Sequence, residues 1–187
     1  MKKYLIVGMG NPGVDYVNTR HNIGFQLVDA WSQASTFSFT PDRYADRAEI
    51  KIKGRTLVLI KPQTFMNLSG KAVRYWLHEE KIPLSNLLVL VDEIALPLGH
   101  VRLKLRGSDG GHNGLKDIQE VLGRQDYARQ RFGIGQDFAK GQQIQHVLGA
   151  WHPDESQAVE QGIERAIEQI KAFVLAGPAL AMTQFNQ

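Results

Sequence analysis

The 187-residue chain contains no cysteine, which excludes disulfide staples, thiolate metal sites and a cysteine nucleophile. A reducing cytoplasm is therefore the expected compartment. No run approaches the ~20 apolar residues a membrane span needs. The opening M-K-K-Y-L-I-V-G is far too short in its apolar part for a signal peptide. There is no internal repeat, no low-complexity tract and no serine in a G-x-S-x-G turn. His78, His100, His146 and His152 show no H-E-x-x-H or related spacing, so no metal is expected. The charge imbalance is also small, with 22 basic against 19 acidic residues and a net charge of +3. That balance permits a polyanionic partner without requiring one, so the placement of the charges has to decide.

What is present is a strand-and-helix alternation long enough for one domain over residues 1–187, burying ~70% of its unfolded surface. Tyr4–Val7 reads as a buried strand, and Ile23, Leu27, Val28 and Trp31 follow with helical spacing. Residues 34–47 have no clean period and read as a loop. Ala48–Lys53 and Arg55–Lys61 flank Gly54 as an antiparallel hairpin. Val73, Trp76 and Leu77 mark a second helix, and Leu87–Val91 a second buried strand. Val101–Arg106 alternates strictly, Leu115, Ile118 and Leu122 mark a third helix, and Phe132–Gly135 reads as a further strand. Residues 136–152 look irregular. A long helix opens at Pro153, carries Val159, Ile163, Ala166, Ile170 and Val174 on one stripe, and stops at Gly177-Pro178. The expected fold is α/β: a three-layer α/β/α domain around a mixed, mostly parallel twisted sheet.

The stretch Gly8–Gly24 organises the reading. Its G-M-G-N-P-G matches the dinucleotide fingerprint G-x-G-x-x-G letter for letter. That fingerprint needs a helix starting at the turn and an acidic residue ~20 positions on, at the end of a parallel second strand. Here the helix starts near Asn22 and the next strands form a hairpin, so no nucleotide cofactor is expected. Instead, a strand that breaks into a glycine turn and delays its helix presents polar side chains at the carboxyl edge of a sheet. Open α/β sheets place their ligands at that edge.

Four loops leaving strands carry unusual polar residues: Asn11 and His21, then Asn67, then Asp92, then His112 and Asn113. If the strands are neighbours, these loops converge. His21 beside Asp92 would form a base and its orienter, the carboxylate accepting Nδ1–H and leaving Nε2 to take a proton. The simplest chemistry is then a water, activated by histidine, attacking an ester or other acyl group, with asparagine amides holding the carbonyl. Each asparagine could equally serve its own turn, Asp92 could cap a helix, and His112 could only support its loop. Arg102, Lys104 and Arg106 share one strand face ~6.6–6.8 Å apart, with Arg131 entering a neighbouring strand. Such a face either is merely solvated or tracks phosphates.

Taken together, G-x-G-N-P-G-x-x-Y-x-x-T-R-H-N-x-G, K-P-x-T-F-M-N-x-S-G, a strand-end D-E and G-G-H-N-G-L-K-x-I resemble the bacterial-type peptidyl-tRNA hydrolases from about residue 4 to beyond Leu148. The resemblance implies a monomeric, cofactor-free esterase with no obligate protein partner. Its substrate would be peptidyl-tRNA released prematurely from ribosomes, cleaved to free peptide and reusable tRNA. By that resemblance His21 matches the catalytic base and Asp92 its acid. Asn11, Asn67 and Asn113 match amides that bind peptide and ester, Tyr16 and Met66 match crevice residues, and Lys104 and Arg131, with Arg102 beside them, fall where the family clamps the tRNA 5′-phosphate. Two departures stand out. Many members read H-D-E-x-D-x-P where this chain has Val91 and Ala95, and many carry His or Ala at the position of Asp109.

Overall fold

The first apolar run forms β1 (Lys3–Gly8) and the helical spacing after it forms α1 (Ile23–Ala34). Next come β2 (Thr40–Asp42), β3 (Ala45–Ile52) and β4 (Arg55–Pro62). The chain continues through α2 (Gly70–Glu79), β5 (Leu87–Glu93), β6 (Val101–Lys104), α3 (Asn113–Leu122) and β7 (Ala128–Gly133). It closes with α4 (Gln143–Val147), α5 (Ser156–Ala176) and α6 (Pro178–Phe185). The structure is a computed structural model that describes residues 2–187.

All strands join one seven-stranded sheet in the order β2-β3-β4-β1-β5-β7-β6. β4, β1, β5 and β7 run parallel, while β2, β3 and β6 run antiparallel to their neighbours. Three of the four parallel strands, β1, β4 and β5, are the continuously apolar runs, as strands buried on both faces tend to be, whereas β7 carries Arg129, Gln130 and Arg131. One face packs Leu27, Val28 and Trp31 of α1 with Ile170, Phe173 and Val174 of α5 and Ala181 of α6. The other packs Ala72, Val73 and Trp76 of α2 with Leu115 and Ile118 of α3. The mixed, mostly parallel three-layer sheet expected from the sequence is the one found. No described helix is long and apolar enough to cross a membrane.

The order of strands fixes where a ligand can sit. From β1 the chain crosses to β4 on one side, then returns past β1 to β5 on the other. The crevice between the ends of β1 and β5 is therefore the switch point of the sheet. Two glycines let α1 close down on it. A Cβ on Gly24 would lie 2.3 Å from the Met9 nitrogen, and one on Gly8 would lie 2.5 Å from the Gly24 oxygen. The residues preceding α1 are thereby drawn against the sheet edge.

Several segments differ from the sequence reading, and the strand read at Phe132–Gly135 is β7, Ala128–Gly133. Residues 34–47 are not all loop: β2 occupies Thr40–Asp42 and β3 begins at Ala45. Short strands on a sheet edge carry too little apolar periodicity to show in sequence. The irregular stretch 136–152 contains α4, only five residues long. The long helix α5 stops at Ala176, before Gly177 (φ 96°), as expected, but the sequence reading missed α6, which Pro178 opens in the first-turn position that suits proline. The β6 alternation stops at Lys104, leaving Leu105 exposed. After α6 the Asn186 amide accepts from Leu103 N–H (2.7 Å) and donates to its carbonyl (3.2 Å), covering the free edge of β6.

Candidate active site

His21 sits in the short 3-10 turn Arg20–Asn22 just before α1, and Asp92 is the penultimate residue of β5. Their side chains meet at the switch point. His21 Nδ1 lies 2.9 Å from Asp92 Oδ2 and 3.0 Å from Oδ1. The Asp92 carboxylate is almost fully buried, whereas the His21 imidazole keeps 13% of its surface open. With Nδ1 turned to the carboxylate, Nε2 is the ring atom left for a reactant.

A second imidazole holds the same carboxylate. His112 Nε2 is 2.8 Å from Asp92 Oδ1. Its Nδ1 accepts the backbone N–H groups of Gly114 (3.1 Å) and Leu115 (3.3 Å), so the ring is the N-cap of α3. Accepting at Nδ1 assigns the proton to Nε2, which donates it to Asp92. His112 is thus tied at both nitrogens, rather than a loop residue alone. His21, Asp92 and His112 offer atoms within 4.8 Å of one another, close enough for a metal ion by distance. The hydrogen bonds among them direct the His112 Nε2 proton, not a lone pair, toward the carboxylate, which suits proton handling better than metal ligation.

These contacts set the charge states. Burial works against the Asp92 charge, but the two imidazoles facing it outweigh burial and hold the carboxyl well below the usual carboxylate range. Burial would by itself depress the His21 pKa. The Asp92 charge and hydrogen bond more than offset it, and the His21 pKa is raised above its ordinary 6.5.

The amides divide into two kinds. Asn11 is buried, its Oδ1 accepts Met66 N–H at 2.6 Å, and its backbone N–H donates to Asn22 Oδ1 at 2.9 Å. Asn22 Nδ2 returns a bond to the Asn11 carbonyl at 2.9 Å. Asn11 therefore keeps only Nδ2 for a ligand, and Asn22, to which the sequence reading gave no role, is its brace. The T-R-H-N motif contained that signal. Asn67, in the 3-10 turn Met66–Leu68, and Asn113, the first residue of α3, are exposed, and neither amide has a partner among the described residues. Met66 is buried against the start of α3, and Tyr16 ends a short 3-10 turn at Val14–Tyr16, partly covered.

A cavity of about 110 Å³ opens over the pair, lined by His21, Asp92, His112 and Asn113 with Ile144 and Val147 of α4 above. Of the expected substrate residues only Asn113 lines it; Asn11, Tyr16, Met66 and Asn67 lie outside this pocket. The roof is fastened to the same segment that carries His21. Arg20 donates to the His146 carbonyl (3.1 Å) and to Glu155 (2.9 Å), and its backbone N–H bonds Gly149. Arg20 was also passed over in the sequence, where a single arginine beside a histidine says nothing of its target. Of the departures, Val91 is packed in the core, Ala95 N–H donates to Glu93, and Asp109 accepts Gly111 N–H to shape the glycine loop.

The basic edge is looser. Arg102 lies opposite Arg131, and Lys104 opposite Arg129, across β6 and β7, so four cations share one face. Arg129 is buried and donates to the carbonyls of Gly107, Ser108, Gln125 and Tyr127, holding the start of the glycine loop. Arg131 pairs with Glu93 at 3.2 Å, and Arg102 bonds the Gln187 carbonyl at 3.1 Å. Lys104 is exposed and forms no ion pair among the described residues.

A family model for peptidyl-tRNA hydrolase matches residues 5–187. The chain is 54% identical over 185 residues to a peptidyl-tRNA hydrolase of Phocaeicola vulgatus, covering 99% of each. A peptidyl-tRNA hydrolase of Cytophaga hutchinsonii is 48% identical, with 98% of each chain covered. The crystal structure of peptidyl-tRNA hydrolase from Acinetobacter baumannii superposes with a TM-score of 0.91 at 34% identity, covering 98% of this chain and 94% of that one.

Proposed function

The chain belongs to the peptidyl-tRNA hydrolase family, and from that premise we propose how its crevice performs peptidyl-tRNA hydrolysis. His21 Nε2 takes a proton from water, whose oxygen attacks the carbonyl of the ester joining peptide to the terminal ribose. The carbonyl oxygen becomes the oxyanion, met by the free amide N–H groups of Asn67 or Asn113, with Asn11 Nδ2 on the peptide side. As the C–O bond to ribose breaks, the imidazolium returns its proton to the leaving ribose oxygen. The products are a peptide acid and tRNA with its terminal hydroxyl restored.

Asp92 supplies the fixed negative charge that stabilises the imidazolium and the tautomer that frees Nε2. His112 holds Asp92 in place from behind. Tyr16 and Met66 shape the walls, and Lys104, Arg131 and Arg102 bind tRNA phosphate. The reading needs no metal and no cofactor. It describes residues 1–187 as one domain, acting as a monomer in the cytoplasm without an obligate protein partner.

The observation that carries it is the 2.9 Å contact between His21 Nδ1 and Asp92, which leaves Nε2 toward the cavity. Its test is hydrolysis of an N-acetylated aminoacyl-tRNA by the wild type and by His21→Ala. The rate should fall ~10²- to 10⁴-fold in the variant, the usual weight of a general base. Equal rates would remove His21 from the chemistry.

A further inference from the structure

Across the crevice from the basic edge, at the end of β4, lies a second group of cations tied to aromatic rings. Arg43 and Tyr44 form the two-residue turn between β2 and β3, since Asp42 pairs with Ala45. The Arg43 guanidinium stands 5.3 Å from the Tyr44 ring and 5.4 Å from the Tyr75 ring. Lys71 Nζ is 4.9 Å from the same Tyr44 ring, and the two tyrosines meet edge to face at 5.6 Å. Arg43, Lys71 and Arg74 are exposed, and none forms an ion pair with an acid among the described residues. The Tyr44 hydroxyl is also shifted toward ionisation, first by its hydrogen bond to Arg43 and then by Lys71 and Arg74.

Folding does not account for this group. Three like charges within one surface patch repel, and Tyr44 adopts φ 62°, a left-handed conformation that costs a bulky residue roughly 1–3 kcal/mol. The turn is nonetheless held firmly. Trp76 Nε1 donates to the Arg43 carbonyl at 2.8 Å, and the Tyr44 carbonyl accepts Gln63 N–H at 2.8 Å. That second bond fastens it to the segment leading to Met66 and Asn67, which the proposed mechanism places on the substrate. Phe65 and Leu68 beside them are exposed apolar residues. The patch thus sits on the β2–β3 side of the sheet, away from Lys104 and Arg131 on β6 and β7.

We propose that Arg43, Lys71 and Arg74, with Tyr44 and Tyr75, form a subsite for acidic side chains of the peptide that extends past the scissile ester. The inference rests on the reading above. With tRNA entering from the β6–β7 side and its terminal ribose at His21, what continues beyond Asn67 is peptide. Lys71 and Arg74 lie on the first turns of α2, ~1.5 Å and ~6 Å along the helix from Gly70. An extended peptide advances ~3.3 Å per residue, so residues two to four before the ester carry their side chains ~7–13 Å past it. Rigid rings beneath Arg43 and Lys71 hold them spread for a carboxylate without an acid of the protein competing.

The test uses peptidyl-tRNAs that share one tRNA body and carry Glu, Gln or Lys at the second to fourth positions from the ester. Wild-type kcat/KM should favour the Glu series over the Gln series about three- to tenfold, the range of one or two exposed charge pairs. The double variant Arg43→Ala/Arg74→Ala should flatten that ratio to about one and Arg74→Glu should invert it, while hydrolysis of N-acetylated aminoacyl-tRNA stays unchanged in both. Only the side chain of Arg43 is altered, so the carbonyl that holds Trp76 remains. Equal use of the Glu and Gln series by the wild type, or an unchanged ratio in the variants, would overturn the subsite. A variant that loses competition by deacylated tRNA instead would assign the patch to RNA and likewise overturn it. Failure of the histidine mechanism would show separately, as retained activity in His21→Ala.

Discussion

The crevice between β1 and β5 and the basic edge of β6 and β7 hold their candidate functional side chains in opposite ways. In the crevice every ring nitrogen of His112, one of His21 and both oxygens of Asp92 are engaged, and the pair is mostly buried. On the basic edge four cations share a face, yet one is structural, two have partners at the surface and Lys104 stands alone. Chemistry that needs a defined tautomer is built into a closed network. The proposed phosphate recognition, which needs only accessible charge, would be left on an open strand. The first depends on geometry and should respond in kcat; the second depends on charge and should respond in KM and salt.

The sharpest way to break that contrast is Asp92→Asn. An amide can donate to Nδ1 and so favour the wrong tautomer, and kcat should fall ~10³- to 10⁴-fold with KM within about twofold. A change confined to KM would show that the crevice also works mainly by binding. Next in size is His112→Ala, which removes one hydrogen bond to a charged group and a helix cap. Single-turnover rates should drop about tenfold, and urea unfolding should show a loss of ~1 kcal/mol. His112→Asn, a good cap, should recover the stability but not the rate. Smallest are the edge variants. Lys104→Ala should raise KM for tRNA substrates several-fold and reduce the salt slope by about one. Arg131→Ala should do less, because Arg131 already pairs with Glu93, and Arg102→Ala least. An Arg131 effect above that of Lys104 would mean the Glu93 pair opens on binding.

The same contrast explains what could be read from the sequence. The parallel core was visible because β1, β4 and β5 are apolar on both faces, and α1 because Ile23, Leu27, Val28 and Trp31 recur at helical spacing. Asp92 at a strand end and His21 before a helix were legible as edge residues. Their pairing was expected only on the condition that their strands are neighbours, and from the family resemblance, and the strand order brings these residues, 71 positions apart, to 2.9 Å. Local pattern also hid direction. Nothing in G-G-H-N-G tells that the His112 ring turns back to cap α3 while reaching Asp92. Alternation along Val101–Arg106 located a charged face, but only pairing could separate Arg129, buried under loop carbonyls, from Lys104 in solvent. The short elements α4 and β2 fell below any periodicity.

The proposed mechanism turns on Asp92 controlling the imidazole of His21, and the most direct measurement is an NMR titration of that ring in the wild type and in Asp92→Asn. In the wild type the ring should titrate above 6.5, placing the acid limb of kcat/KM at correspondingly higher pH, because protonated imidazole cannot accept from water. Without the carboxylate charge, burial alone remains, and the ring should titrate below 6.5. A His21 pKa that is the same in both proteins, or that lies below 6.5 in the wild type, would contradict it.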